Sequence, residues 1–131
     1  MLENFGVGTD IVDINRFKKI PYSKKSSFYK KIFLPSEVKY CLKFKNSSQH
    51  FAGKFALKES VKKSIDKKIS FLDIETYHKN SKPKIRLKNS QKYEFFASVS
   101  HEKDYAVAVV ISQKFKYIFK IFTNYSFSNN S

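Results

Sequence analysis

The chain is poor in several residue types, and each shortage excludes a class of protein. A single cysteine, Cys41, leaves no intrachain disulfide and no zinc site built from several cysteines. Only 11 acidic residues stand against 26 lysines and arginines, so the formal net charge is +15. No apolar run is long enough to cross a bilayer, and the first residues lack the basic and apolar regions of a signal peptide. We therefore expect a cytoplasmic protein with no membrane partner.

The composition that is present suits one domain with a modest core. The chain has 131 residues, of which 41% are apolar and 17% aromatic. Its charge favours polyanionic partners: nucleic acid, anionic lipid, phosphorylated ligands or an acidic protein. We expect a single domain over residues 1–123 and a disordered tail over residues 124–131.

Residues 5–12 alternate in the manner of a β-strand, with Gly6, Gly8 and Asp10 on one face. Two glycines within a strand mark close approach by another segment. The Asp10 carboxylate therefore lies on a strand face where Gly6 and Gly8 contribute no side chains.

The rest of the chain reads as helices followed by strands. Helical patterns cover 14–20, 34–42 and 51–65, and strand patterns cover 70–78, 84–87, 95–100 and 105–112. Asp13 and Ser36 are the expected helix caps, and residues 45–49 a polar loop. The alternating aromatics of residues 115–121 predict an extra strand or an apolar face for a partner. The pattern predicts an α+β domain with a mostly antiparallel sheet packed with helices.

The helix predicted over 51–65 carries a carboxylate and an ammonium on one face. Glu59 and Lys63 are four residues apart and share this face with Ala52 and Ala56, which are small enough to admit another backbone or a ligand. The plain alternative is a solvated ion pair that stabilises the helix by roughly 0.2–0.5 kcal/mol.

Three local features carry the chemistry of a possible phosphate site. Mg²⁺ commonly takes one or two protein carboxylates and fills its shell with water and substrate phosphate. Asp10 and Glu59 would supply these if the fold brings them together. Lys63 would neutralise phosphate charge, and His101 could bond a phosphate or a base.

Three blocks of sequence together resemble holo-[acyl-carrier-protein] synthase, the small bacterial class of 4′-phosphopantetheinyl transferases. They are Gly6-Val-Gly-Thr-Asp-Ile-Val-Asp-Ile14, Phe51-Ala-Gly-Lys-Phe-Ala-Leu-Lys-Glu-Ser-Val-Lys-Lys63 and Ser98-Val-Ser-His-Glu-Lys-Asp-Tyr-Ala-Val-Ala108. The resemblance implies transfer of 4′-phosphopantetheine from coenzyme A to a serine of apo acyl carrier protein, within fatty acid biosynthesis. Adenosine 3′,5′-bisphosphate would be released.

The resemblance also implies roles for individual residues. Asp10 and Glu59 would bind Mg²⁺ at the catalytic site, and Lys63 would meet the coenzyme A phosphates. Ser100 and His101 match the segment near the coenzyme A nucleotide. The general base stays open between a metal-bound water and a water held by Glu59.

Further positions match the family's ligand and partner surfaces. Lys54 stands where the family usually has a phosphate-binding arginine. Arg16, Lys18 and Lys19 match a basic first helix that binds the acidic carrier. The family is typically a trimer with active sites between subunits, so the resemblance implies a homotrimer here.

One segment departs from the family pattern. Residues 64–69 read Ser-Ile-Asp-Lys-Lys-Ile, where the family has a glycine-containing turn. An alternative function is therefore a catalytically impaired homologue that still binds the carrier. A basic nucleic-acid-binding module is a second alternative, although it leaves Asp10 and Glu59 unexplained.

Overall fold

The structure, a computed structural model, describes residues 4–115 as four helices and five strands. In chain order they are β1 Phe5–Asp13, α1 Asn15–Lys19, α2 Tyr22–Lys30, α3 Pro35–Leu42, α4 Ser47–Ser64, β2 Ile74–Lys79, β3 Lys82–Leu87, β4 Tyr93–Glu102 and β5 Tyr105–Lys114, with a short 3₁₀ helix, Phe71–Asp73, before β2. The α+β class predicted from the sequence is confirmed. No helix within residues 4–115 is long and apolar enough to span a membrane.

The strands form one three-stranded sheet and one hairpin, all antiparallel. The sheet order is β1-β5-β4, so the last strand lies in the middle and pairs Asp10 with Ala108 and Ala108 with Val99. Strands β2 and β3 form the separate hairpin. Its turn residues, Asn80 and Ser81, both have positive φ, as the favoured two-residue hairpin turn requires.

Helix α4 crosses one face of the sheet at very short distance. A Cβ atom on Gly6 would collide with the Ser64 carbonyl oxygen, and one on Gly8 with that of Ser60. The close approach predicted from the two glycines is therefore made by the backbone of α4. Ala52 and Ala56 are fully buried, so the small residues of this helix make room for packing inside the core and not for a ligand, which corrects that reading.

A buried polar network ties α3 and the hairpin to α4. The Lys58 ammonium lies 2.6 Å from Glu37 Oε1, and both side chains are fully buried. The second Glu37 oxygen accepts hydrogen bonds from the backbone N–H and hydroxyl of Thr76 on β2. Lys54 donates to the carbonyl and hydroxyl oxygens of the same threonine. Removing one member would leave a buried charge without its partner, which costs several kcal/mol.

The other face of the sheet, here called the open face, carries apolar side chains from all three strands. Val7 is 66% exposed, Ile11 63%, Phe96 54%, Ile111 42% and Val109 40%. They fall on one face because the register pairs Val7 with Ile111 and Ile111 with Phe96. Within residues 4–115 no second layer covers these side chains, and exposed apolar areas of this kind mark interaction surfaces.

Several local predictions need correction. Helix α2 was not predicted, and α4 begins at Ser47, inside the segment expected to be a loop. The N–H at the start of α3 is bound by Glu37 Oε1 at 2.7 Å, whereas Ser36 was the expected cap. The tail over 124–131 and all but the first residue of the 115–121 run lie outside the described residues.

Candidate active site

Asp10 lies on β1 at the point where the strand passes under α4. The Lys63 ammonium reaches across from α4, 3.1 Å from Asp10 Oδ1 and 3.0 Å from the Thr9 carbonyl oxygen. The Asp10 side chain is 17% exposed and that of Lys63 53%. Two oxygens from β1 therefore hold a cation at the surface, and the pair stays accessible to a ligand.

Glu59 stands one helical turn before Lys63 and is half-buried. Its neighbour Ser60 rests its carbonyl group against Gly8, two residues before Asp10. The contact that holds α4 to β1 thus brings Lys63 to Asp10. Glu59 lies one turn earlier on the same helix, and its part in the site stays a prediction.

His101 belongs to a different part of the molecule, at the end of β4. The His101 Nε2 atom lies close to Gly53: a Cβ atom added to Gly53 would be 2.9 Å from it. The His101 ring also interacts with the Gln49 carbonyl group. Burial lowers the pKa of His101, so the imidazole is neutral near pH 7. Ser100, exposed on the open face, points away from His101 because neighbouring strand residues alternate.

Within one chain His101 does not meet Asp10. Strand β1 carries Asp10 at one edge of the sheet and β4 carries His101 at the other, with β5 between them. Two strand spacings amount to roughly 10 Å. Gly53 and Glu59 are also about 9 Å apart along α4 at 1.5 Å per residue. The structure therefore brings Lys63 to Asp10 and leaves His101 apart.

Lys54 is not presented to solvent. It is only 3% exposed, its ammonium donates to Thr76, and it lies 4.8 Å from the centre of the Tyr40 ring. Burial lowers its pKa. This burial argues against the direct phosphate contact predicted for Lys54 and favours a positioning role between α4 and the hairpin.

Helix α1 exposes its basic side chains and buries its apolar one, as expected. Arg16, Lys18 and Lys19 are exposed on α1, while Phe17 is buried and anchors the helix in the core. The Arg16 guanidinium lies 5.3 Å from the Phe55 ring centre, which fixes its stem against α4.

The segment without the expected glycine turn, residues 65–69, follows α4 directly. Ile65, Asp66 and Lys67 line a cavity of about 400 Å³ together with the starts of β1 and β4 and the end of β5. Ser64, the residue after Lys63, also lines this cavity, so an altered loop here changes the surroundings of Lys63.

Sequence reasoning missed a ring cluster beside Lys54. The His50 ring stacks on that of Phe44 with ring centres 3.7 Å apart, and the His78 ring stacks on that of Tyr40 at 4.6 Å. His50 also lies 6.4 Å from the His101 ring. These residues are distant along the chain, so no local pattern could have joined them.

The chain is similar to proteins of one superfamily and, within it, of one family. The model of the 4′-phosphopantetheinyl transferase superfamily matches residues 6–110, so the chain is a member of that class. It is similar to the holo-[acyl-carrier-protein] synthase of Geobacter sp. (strain M21), with 35% identity over 123 residues that cover 84% of this chain and 98% of that protein. The synthase of Thermodesulfovibrio yellowstonii is 37% identical over 109 residues, covering 81% and 96%.

Solved structures of holo-[acyl-carrier-protein] synthases are also similar to this chain. The Helicobacter pylori holo-[acyl-carrier-protein] synthase in complex with coenzyme A matches with a TM-score of 0.70 and 36% identity, covering 82% of this chain and 99% of that one. The Bacillus anthracis synthase in complex with coenzyme A (3′,5′-ADP) matches with a TM-score of 0.67 and 30% identity, covering 83% and 96%. This chain belongs to the holo-[acyl-carrier-protein] synthase family, which confirms the resemblance seen in the sequence.

Proposed function

We propose that this protein transfers the 4′-phosphopantetheine group of coenzyme A to a serine of apo acyl carrier protein, in fatty acid biosynthesis. The products are holo carrier and adenosine 3′,5′-bisphosphate. The observation that carries the proposal is the Asp10–Lys63 contact beside Glu59, found in a chain of this family. Relatives crystallised with coenzyme A support the donor substrate.

The reaction needs charge neutralisation more than a protein nucleophile. The carrier serine oxygen attacks the β-phosphorus of the coenzyme A pyrophosphate. The bond from that phosphorus to the bridging oxygen then breaks, and adenosine 3′,5′-bisphosphate leaves with the bridging oxygen. Lys63 is exposed enough to contact the pyrophosphate. The serine proton would pass to a water held by Glu59 or by the metal.

Asp10 and Glu59 would hold a Mg²⁺ ion. Asp10 Oδ1 and the Thr9 carbonyl oxygen already hold a cation, the Lys63 ammonium, which stands where a metal ion would be attracted. Residues 4–115 contain no cluster of three or more metal-binding side chains. A site of two carboxylates completed by water and phosphate is what Mg²⁺ prefers. When bound, the ion would neutralise charge on the pyrophosphate oxygens.

The carrier is proposed to dock on α1. Arg16, Lys18 and Lys19 present positive charge, and Arg16 lies next to Phe55, one helical turn before Glu59. An acidic helix of the carrier would be steered to this surface and would bring its serine towards Asp10 and Glu59.

We further propose a homotrimer with active sites between subunits. The apolar open face needs a partner surface, and a second copy of this chain offers the same apolar character. Assembly would also resolve the separation of His101 from Asp10, because His101 of one copy could complete the site of the next. His101 and Ser100 would then contact the coenzyme A nucleotide.

The test is mass spectrometry of apo acyl carrier protein incubated with coenzyme A, Mg²⁺ and this protein. The carrier should gain the mass of phosphopantetheine. Asp10→Ala and Glu59→Ala should each slow turnover by about a hundredfold or more, the scale on which loss of one electrostatic group slows such reactions. Glu75→Ala, which removes a carboxylate paired with Arg86 on the hairpin, is the matched control and should keep full activity.

Two results would contradict the proposal. No mass gain with Mg²⁺ or Mn²⁺, while the carrier still binds, would identify a catalytically impaired homologue. Full activity in Asp10→Ala or Glu59→Ala would refute the metal assignment and leave the transferase function standing.

A further inference from the structure

A second cavity, unrelated to the proposed active site, opens between α2, the start of α3 and the 3₁₀ helix. Its volume is about 470 Å³, within the range of about 300–1,000 Å³ typical of small-molecule sites. The wall is formed by Phe33, Leu34, Pro35, Val38 and Leu72, whose side chains carry no polar atoms, and by Tyr22, which adds one hydroxyl group. The interior is therefore mostly carbon and favours an apolar ligand.

The wall is held in place by the core behind it. Phe33 is 1% exposed, and its ring centre lies 5.1 Å from that of Phe51. The Leu34 N–H donates to Glu37 Oε1 at 2.7 Å, and the same oxygen is paired with buried Lys58. A cavity fixed in this way loses little freedom when a ligand enters, which favours binding.

Three lysines surround the cavity, each from a different part of the chain. Lys30 ends α2, Lys39 lies on α3 and Lys88 follows β3; all three are exposed. None of them forms a salt bridge within residues 4–115. The Asp73 carboxylate is near enough to Lys88 for its pKa to be lowered partly by that lysine, after the larger effect of Ser70 hydrogen bonds.

An apolar interior with a cationic rim matches an amphiphile that carries a negative head group. We propose that this cavity binds the acyl chain of an anionic single-chain amphiphile, in its simplest form a fatty acid, whose head group lies among Lys30, Lys39 and Lys88. A pantetheine arm fits less well, because the mostly carbon wall offers too few polar groups, the Tyr22 hydroxyl among them, for its two amides. The proposal does not rest on the transferase activity.

The test is isothermal titration calorimetry of the full chain with hexanoate, octanoate and decanoate, each below its micelle concentration. We expect saturable binding of one molecule per chain. Affinity should rise about fourfold for each added methylene until the cavity is full. Decanol, which has the chain but lacks the charge, should bind at least about fivefold more weakly than decanoate.

Matched variants distinguish binding in this cavity from general attraction of an anion to the positively charged protein. Lys30→Gln/Lys39→Gln/Lys88→Gln should weaken decanoate binding by about tenfold. Lys31→Gln/Lys43→Gln/Lys45→Gln removes the same charge from exposed positions outside the cavity and should leave the affinity within about twofold. Leu72→Asp should abolish binding, whereas Leu72→Ala should only reduce it; circular dichroism verifies the fold of each.

Three outcomes would overturn the proposal. One is the absence of saturable binding by monomeric decanoate. Another is an equal loss in both lysine triples, which would mark general attraction to a chain of net charge +15. The third is binding to anionic phosphatidylglycerol vesicles without binding to monomeric fatty acid, which would mark a membrane-contact surface in place of a cavity site.

Discussion

At the residue scale, Gly8 shows how an absent side chain positions the proposed catalytic groups. The atom that a Cβ on Gly8 would meet is the backbone carbonyl of Ser60, which cannot turn aside as a flexible side chain can. Any larger residue would push α4 away from β1. Since Asp10 is on β1 and Glu59 and Lys63 are on α4, the same shift would open the site.

Gly53 faces a side chain that can move, whereas Gly8 faces a backbone carbonyl group. Replacing Gly53 should therefore weaken ligand binding without lowering the free energy of unfolding. A Cβ there would lie 2.9 Å from His101 Nε2, the end of a side chain that can move, and 3.4 Å from Val99 Cγ1. Alanine is better than glycine inside a helix by about 1 kcal/mol. We expect Gly53→Ala to keep or raise the free energy of unfolding in urea while it displaces the imidazole and raises the KM for coenzyme A several-fold.

The control for Gly53→Ala is a double-mutant cycle with His101→Ala. If the glycine acts only through the imidazole, adding Gly53→Ala to His101→Ala should leave the KM for coenzyme A unchanged. An additive increase would show that Gly53 acts by another route. An unchanged KM in Gly53→Ala, where His101→Ala raises it, would show that the ring can move without loss.

At the scale of elements, α4 explains why some features could be predicted from sequence and others could not. The apolar spacing of Leu57, Val61 and Ile65 identifies the helix, and all three side chains are buried. Hydropathy would place Lys54 and Lys58 outside, since lysine is almost never fully buried unless paired. Their partners, Thr76 and Glu37, lie about twenty residues away along the chain, and only the fold brings them together.

The ring cluster beside Lys54, whose members come from α3, α4, β2 and β4, should make the free energy of unfolding depend on pH. Burial is the main cause that lowers the pKa of His50, His78 and His101, below the ordinary 6.5. Lys54 lowers the pKa of His50 and His78 further, His101 lowers that of His50, and the Gln49 carbonyl opposes the shift at His101. The folded chain therefore binds fewer protons than the unfolded chain as the pH drops below 6.5.

The expected outcome is a loss of stability on acidification from about pH 7 to pH 5 and a plateau above pH 7. Urea unfolding followed by circular dichroism at each pH measures it. His50→Gln/His78→Gln removes two of the titrating groups and should flatten the slope in this window, with Asn46→Gln as a control outside the cluster. An unaltered slope in the double variant would show that the histidines gain and lose protons equally in both states.

At the scale of the whole molecule, the sequence could predict the class of protein. It could propose Asp10, Glu59 and Lys63 as site residues but not show how the elements that carry them meet. The two glycines of β1 and the Glu59–Lys63 spacing each describe one element, and their meeting depends on the order β1-β5-β4. Helix α2 escaped prediction because its sequence, with Ser and Lys at most positions, lacks a clear apolar period. The position of His101 at the far edge of the sheet also has no local signal.

Self-association through the open face is expected despite the large positive charge. Apolar burial over three strands opposes the repulsion between copies of a chain with net charge +15. Analytical ultracentrifugation should give a mass three times that of the 15.4 kDa chain. Val109→Glu, in the centre of the open face, should give single chains with little turnover.

Leu42→Glu is the matched control for Val109→Glu, because Leu42 is an apolar side chain of similar exposure on α3, 47% against 40%. It should remain trimeric and active. A wild-type protein that is fully active as a single chain would refute the assembly, as would a Val109→Glu protein that is still trimeric.

Mixing two impaired variants tests whether subunits share a site. Asp10→Ala and His101→Ala each damage every site in their own homotrimer. If His101 of one copy completes the site that holds Asp10 of the next, a mixed trimer contains some junctions in which both residues are intact. Unfolding the two variants together and refolding them should therefore restore part of the turnover. If Asp10 and His101 act within one chain, every site in the mixture lacks one of them, and turnover stays at the level of the separate variants.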